Sequence, residues 1–164
     1  MISKRLSEAI NYQINREIYS AYLYLSMASY FDFIGLKGAS NWMKVQYQEE
    51  MMHAMKMYDY LYLRGQRVTL LPIESPPSTW ESPLEVFKNT LSHEQKVSEM
   101  IKNLYQIALE EKDSDAERFL EWYVKEQVEE EESALDKVKK FTDAGGDENK
   151  IKQIDDEMAK RIFH

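Results

Sequence analysis

Glu50 and His53 stand three residues apart in the run Gln48-Glu49-Glu50-Met51-Met52-His53-Ala54. On a helix that spacing puts a carboxylate and an imidazole on one face. The same face carries Met43, Tyr47, Ala54, Met57 and Leu61, so the two polar groups interrupt a core stripe. A buried carboxylate is costly unless it is paired, hydrogen-bonded or bound to metal. Three further stripes are interrupted in the same way. Glu17 falls among Leu6, Ile10, Ile14, Ala21, Tyr24, Ala28 and Phe31, and Glu94 among Phe87, Leu91, Ile101, Tyr105 and Ala108. Gln127 and Glu130 fall among Leu120, Tyr123, Ala134, Val138 and Phe141. Carboxylates with a single imidazole suit iron or manganese, whereas zinc sites built without cysteine usually hold more histidine.

Four long helices must position these groups, because each stripe repeats at three- and four-residue steps. The periodicity predicts helices from about Leu6 to Phe33, Gly38 to Arg64, Pro83 to Glu111 and Ser114 to Phe141, then a short one over about 147–158. Gly35 and Gly38 bracket the first turn, Gly65 ends the second helix, and Gly145-Gly146 breaks the chain before the last. Ser82-Pro83-Leu84-Glu85 and Ser114-Asp115-Ala116-Glu117 both read as capping boxes. Between Gly65 and Ser82, Pro72, Pro76 and Pro77 exclude a helix. Roughly 18 extended residues reach about 55 Å, enough to run the length of a bundle. The fold class expected is all-α: a four-helix bundle with one long crossover and a short fifth helix, forming one domain over residues 1–164. Heights agree with this. Glu17 lies about 18 residues before Gly35 and Glu50 about 15 after it; Glu94 lies about 19 before Asp113 and Glu130 about 17 after it. At about 1.5 Å per residue the mismatch within each hairpin is only about 3 to 5 Å.

Composition narrows the function classes. The chain has 164 residues, no cysteine and a net charge of -8. Thiolate metal sites and disulfides are excluded. Nucleic-acid binding is not expected of so acidic a chain. The mean hydropathy is -0.61, and no apolar run approaches the roughly 20 residues of a membrane span. The opening residues Met1-Ile2-Ser3-Lys4-Arg5 contain no signal-peptide core, and a cytoplasmic location is expected.

One Glu from each of two helices and Glu-x-x-His from each of two others is the ligand set of ferritin-like di-metal carboxylate proteins. Glu17, Glu94 and Glu50-x-x-His53 match it; the fourth helix departs, with Gln127-Val128-Glu129-Glu130 in place of a second Glu-x-x-His. The whole chain resembles the non-haem ferritins of bacteria and archaea. The resemblance is carried by Arg16-Glu17 before Ser20-Ala21-Tyr22-Leu23-Tyr24-Leu25, by Glu49-Glu50-x-x-His53, by Trp80-Glu81-Ser82-Pro83, by His93-Glu94 and by Trp122-Tyr123-x-x-Glu126-Gln127-x-Glu129-Glu130. It implies a first iron at Glu17, Glu50 and His53, with Glu50 bridging to a second iron at Glu94 and Glu130. It places Gln127 beside the pair and Tyr24 nearby, and implies a third iron at Glu49, Glu126 and Glu129. By pattern alone, Tyr24 reads equally as a core tyrosine bonding to Glu. The resemblance also implies a homo-oligomeric 24-subunit shell with the last helix lining four-fold axes. Bacterioferritins and rubrerythrin-like peroxidases resemble the pattern with a second histidine, which is absent, and no haem is expected. His93 points about 100° away from Glu94 and reads as structural; Glu131 and Glu132 read as surface.

The function expected is a ferroxidase and iron store: Fe(II) oxidised by O2 or peroxide at an intra-bundle di-iron site, then mineralised in a hollow shell. The alternative is a di-iron or di-manganese oxidase or peroxidase without storage.

Overall fold

The computed structural model describes residues 1–164. Helix α1 spans Lys4–Ile34, α2 Lys37–Leu63, α3 Pro83–Glu110, α4 Ser114–Ala144 and α5 Glu148–Met158. No strand forms. The helix ends follow from local chemistry. Ser3 and Ser82 accept from the amides of Leu6 and Glu85, which lie in the first turns of α1 and α3 where amides have no partner within the helix. Gly35 and Gly65 adopt the left-handed conformation, φ 83° and 76°. Their amides and the next ones bond back to the last turns of α1 and α2, the Schellman pattern. At the corresponding turn after α3, Lys112 takes φ 54°. The expected capping box at Ser114 is corrected by one residue: Asp113 caps α4, its carboxylate accepting from Ala116 N at 3.0 Å. Asp113 prevails because it also receives a two-pronged bond from Arg64, at 2.8 and 3.2 Å, which ties the α2 end to the α3–α4 turn.

The crossover 65–82 lies extended along α1. Asn11 exchanges bonds with the backbone of Thr69, Asn15 donates to Leu71 O and Pro72 O, Arg16 forks onto Glu74, and Ser26 donates to Pro77 O. Rising positions on α1 meet rising positions on the crossover, so the strap runs the length of the bundle and returns α3 antiparallel to α1.

The core is divided. A cluster of 16 buried apolar residues, including Leu6, Ile10, Met57, Leu61, Ile101 and Leu120, fills one end. A cluster of 14, including Met27, Phe31, Met43, Phe87 and Phe141, fills the other. Between them, at mid-height on all four long helices, lies a polar layer. The short α5 docks across the bundle end on the start of α2. A Cβ on Gly38 would lie 1.7 Å from Asp155 O, so only glycine permits this approach. Gly38 therefore sits inside the first turn of α2 as a packing residue; the expected turn is only Gly35 and Leu36.

Candidate metal centre

The polar layer contains Glu17 from α1, Glu50 and His53 from α2, Glu94 from α3, and Gln127 and Glu130 from α4. All six are between 1% and 6% exposed. Burial at this level would strand several charges unless something compensates them. Two groups of ligand atoms, each within 4.8 Å of one another, form in the layer: Glu17 with Glu50 and His53, and Glu50 with Glu94 and Glu130. Glu50 belongs to both.

Hydrogen bonds orient most of these groups. His53 Nδ1 lies 3.2 Å from Glu50 Oε2, and Tyr123 donates to His53 O at 2.6 Å. Gln127 Nε2 donates to Glu94 Oε2 at 3.1 Å and to Ser98 Oγ at 3.1 Å. The Tyr24 hydroxyl donates to Glu94 Oε1. Two buried atoms of the layer have no hydrogen-bond partner: Glu17 Oε2 and His53 Nε2. Unpartnered buried oxygen and nitrogen atoms in a ring of carboxylates are suitable metal ligands, so the residues fit a bound metal ion.

The electrostatics agree. Burial first, then the neighbouring carboxylates of Glu94, Glu17 and Glu130, holds the Glu50 carboxyl well above its ordinary range. Burial raises Glu94 to about 7, with Glu17 adding to it while the Tyr24 and Gln127 bonds oppose it. Burial and then Glu94 raise Glu130 to about 8. Crowded carboxylates that resist ionising alone become ionised when a cation neutralises them.

Two glutamines escape the sequence reading. Gln13 donates to Glu17 Oε1 at 3.3 Å, and Gln46 donates to Glu130 Oε2 at 2.5 Å and to Glu50 Oε1 at 3.4 Å. Each stands four residues before a layer carboxylate, a spacing that could have identified it. Arg161, beyond α5, gives no such signal, yet it bonds Gln46 and Glu49.

The three residues expected at a third iron neighbour one another but form no single group of ligand atoms within 4.8 Å: after burial, the Glu129 and Glu49 carboxylates raise the Glu126 carboxyl. Glu126 joins a third group of potential ligands, with His53 and Glu130; its Oε1 is 3.9 Å from His53 Nε2. Glu49 is instead held by Arg161 at 2.7 Å, and Glu129 is exposed and belongs to no such group. His93 lies outside every group, bonded to Ser20 Oγ at 2.8 Å, and burial lowers it to about 4. Glu132 is exposed as expected, but Glu131 turns toward α3 and accepts from Ser98 Oγ at 2.5 Å.

Fold and site together define a four-helix-bundle protein with a buried carboxylate–histidine metal centre. The family model described as a ferritin-like domain matches residues 7–143. This chain belongs to the ferritin family. It is 44% identical to the bacterial non-heme ferritin of Bacteroides fragilis (strain 638R), over 98% of this chain and 100% of that one. It is 37% identical to that of Staphylococcus aureus (strain USA300), over 99% and 98%. Among solved structures, a closed form of the Archaeoglobus fulgidus ferritin made by site-directed mutagenesis superposes with TM-score 0.99 at 55% identity, covering 100% of both chains. The open pore ferritin from the same hyperthermophilic archaeon superposes with TM-score 0.97 at 56% identity, covering 99% of this chain and 100% of that one.

Proposed function

We propose that this ferritin stores iron and acts as a ferroxidase. The observation that carries the reading is Glu50, common to two adjoining groups of buried ligands. One shared carboxylate sets two cations side by side, which a two-electron oxidation of two Fe(II) ions requires. Fe(II) is the substrate. Two Fe(II) give up two electrons, which reduce O2 with two protons to hydrogen peroxide, or reduce peroxide to water. Glu17, Glu50, His53, Glu94 and Glu130 bind the two ions, and the anionic oxygens favour the more highly charged ferric product. Gln127 and Tyr24 hold Glu94 in place from opposite sides. Glu126, with Glu49 and Glu129, receives a third iron on the way out.

The whole chain works as one domain in a cytoplasmic, 24-subunit shell of identical subunits, with the mineral inside. Tyr12, Tyr22 and Leu70 are all more than half exposed on the α1–crossover side, and a second copy would bury them. No helix is long and apolar enough to cross a membrane, and the net charge of -8 favours cations over nucleic acid.

Aerobic Fe(II) loading followed by gel filtration tests this reading. The expected result is a large shell that elutes with iron far in excess of three ions per chain. A small oligomer retaining only the ions of its binding sites would replace storage with a di-iron oxidase or peroxidase.

A further inference from the structure

The segment after α5 turns back along α2 toward the metal layer. Asn41 Nδ2 donates to the carbonyls of Met158, Ala159 and Arg161, at 3.2, 3.3 and 2.9 Å, which ties that segment to α2. The Arg161 guanidinium then lies 4.2 Å from the centre of the Trp42 ring, and its Nη1 donates to Trp42 O at 3.1 Å. Its Nη2 donates to Gln46 Oε1 at 2.9 Å and to Glu49 Oε2 at 2.7 Å. A guanidinium has donors only, so it fixes the Gln46 amide with the oxygen outward. The amide nitrogen is thereby aimed inward at Glu130 Oε2 and Glu50 Oε1. One cationic side chain thus holds an outer carboxylate directly and two inner carboxylates through a single amide. The Arg161 and Glu49 side chains are only 20% and 24% exposed, so solvent screens their contact incompletely.

We propose that Arg161 is a latch on the metal layer. It is a positioning residue that holds Glu49, and through Gln46 also Glu130, in the arrangement just described. It is displaced when a cation occupies the outer position beside Glu126. The Glu49 oxygen that accepts from Arg161 is not free to ligate a metal ion, and the fixed positive charge repels a divalent cation at that position. Docking of the segment and filling of the outer position therefore compete. Linkage makes the competition reciprocal: loss of the latch tightens the outer cation, and the outer cation loosens the segment. This inference rests on the iron-binding reading above.

Two measurements on the intact assembly test it. The first is anaerobic calorimetric titration with Fe(II). Unmodified protein and R161Q should both show the two inner binding events, and R161Q should bind its third ion about fivefold more tightly or better. A third event unchanged or weakened in R161Q, with the inner events present, overturns the latch. The second is hydrogen exchange on the unmodified protein, which needs no variant. Residues 159–164 should exchange faster after saturation with Fe(II), and unchanged or slower exchange overturns the latch. Absence of the inner events from the unmodified protein would instead overturn the iron-binding reading and this inference with it.

Discussion

At the scale of single residues, Glu50 serves binding at the expense of stability. It is 1% exposed, shares its neighbourhood with three other carboxylates, and is held well above the ordinary carboxylate range. Replacing buried ionic groups by neutral ones of similar volume is often neutral or stabilising by about 1–4 kcal/mol. The same replacement removes the one ligand common to both inner groups. Glu50→Gln should therefore raise the melting temperature of the metal-free protein, most at pH 9, and slow rapid Fe(II) oxidation at least about tenfold. Scanning calorimetry and stopped-flow oxidation read the two effects; a lower melting temperature or an unaltered oxidation rate counts against this account. The meeting of these carboxylates in one layer was legible in the sequence because a helix converts residue number into height and direction with little error. Gln13 and Gln46 obey the same rule, one turn before Glu17 and Glu50, but went unread because a glutamine on its own does not mark a ligand set. Arg161 was not: it reaches Glu49 from 112 residues away, from a segment with no helical period to fix its direction.

At the scale of elements, α2 begins without a side-chain cap of its own, since Leu36 supplies none. The missing acceptor comes from α5: Asp155 Oδ1 accepts from Ala39 N at 2.7 Å, placing a carboxylate at the positive end of α2. Gly38 makes this possible by letting the two backbones touch. A methyl group there would meet Asp155 O at 1.7 Å and Asp155 C at 2.6 Å, backbone atoms that yield only if α5 moves as a unit. Gly38→Ala should cost about 1–3 kcal/mol, and Asp155→Ala about 1 kcal/mol through loss of the cap. Neither should abolish the inner metal binding, whose ligands all lie on α1–α4. Urea denaturation of the two variants beside the parent checks the order; a Gly38→Ala protein as stable as the parent would remove the packing role. Sequence periodicity located α5 but not its docking. Glycine beside a turn is ambiguous between freeing the backbone and making room, and only Asp155 overhead decides for the second.

At the scale of the whole molecule, two apolar halves enclose a layer of carboxylates that no strong base neutralises from within. The division was visible in the interrupted stripes, since each was broken near the middle of its helix and the two in each hairpin fell at one height. The surface that joins subunits was not, because exposed tyrosines and leucines carry no period that names their partner. The layer makes stability depend on pH in a stated direction. In the unfolded chain its carboxyls ionise near the ordinary value of 4.5, whereas in the folded protein Glu94 ionises near about 7 and Glu130 near about 8. Between those values the folded state binds more protons than the unfolded state, so stability falls as pH rises. The contribution is complete below about pH 4.5 and is lost as pH passes through the 7 to 8 range. Exposed pairs such as Arg16–Glu74 act in the opposite sense near pH 2, where Glu74 titrates, and buried His93, lowered to about 4, does so only below its ordinary value of 6.5, which leaves the upper part of this window clear. A divalent cation in the layer binds the ionised carboxylates, expels their protons and offsets the loss. Melting temperatures of the metal-free protein should therefore decline from pH 6 to pH 9, and the decline should flatten in protein saturated with Zn(II), which is redox-inert. Differential scanning calorimetry across that range separates the cases: parallel slopes with and without Zn(II) would mean that the cation does not occupy the carboxylate layer.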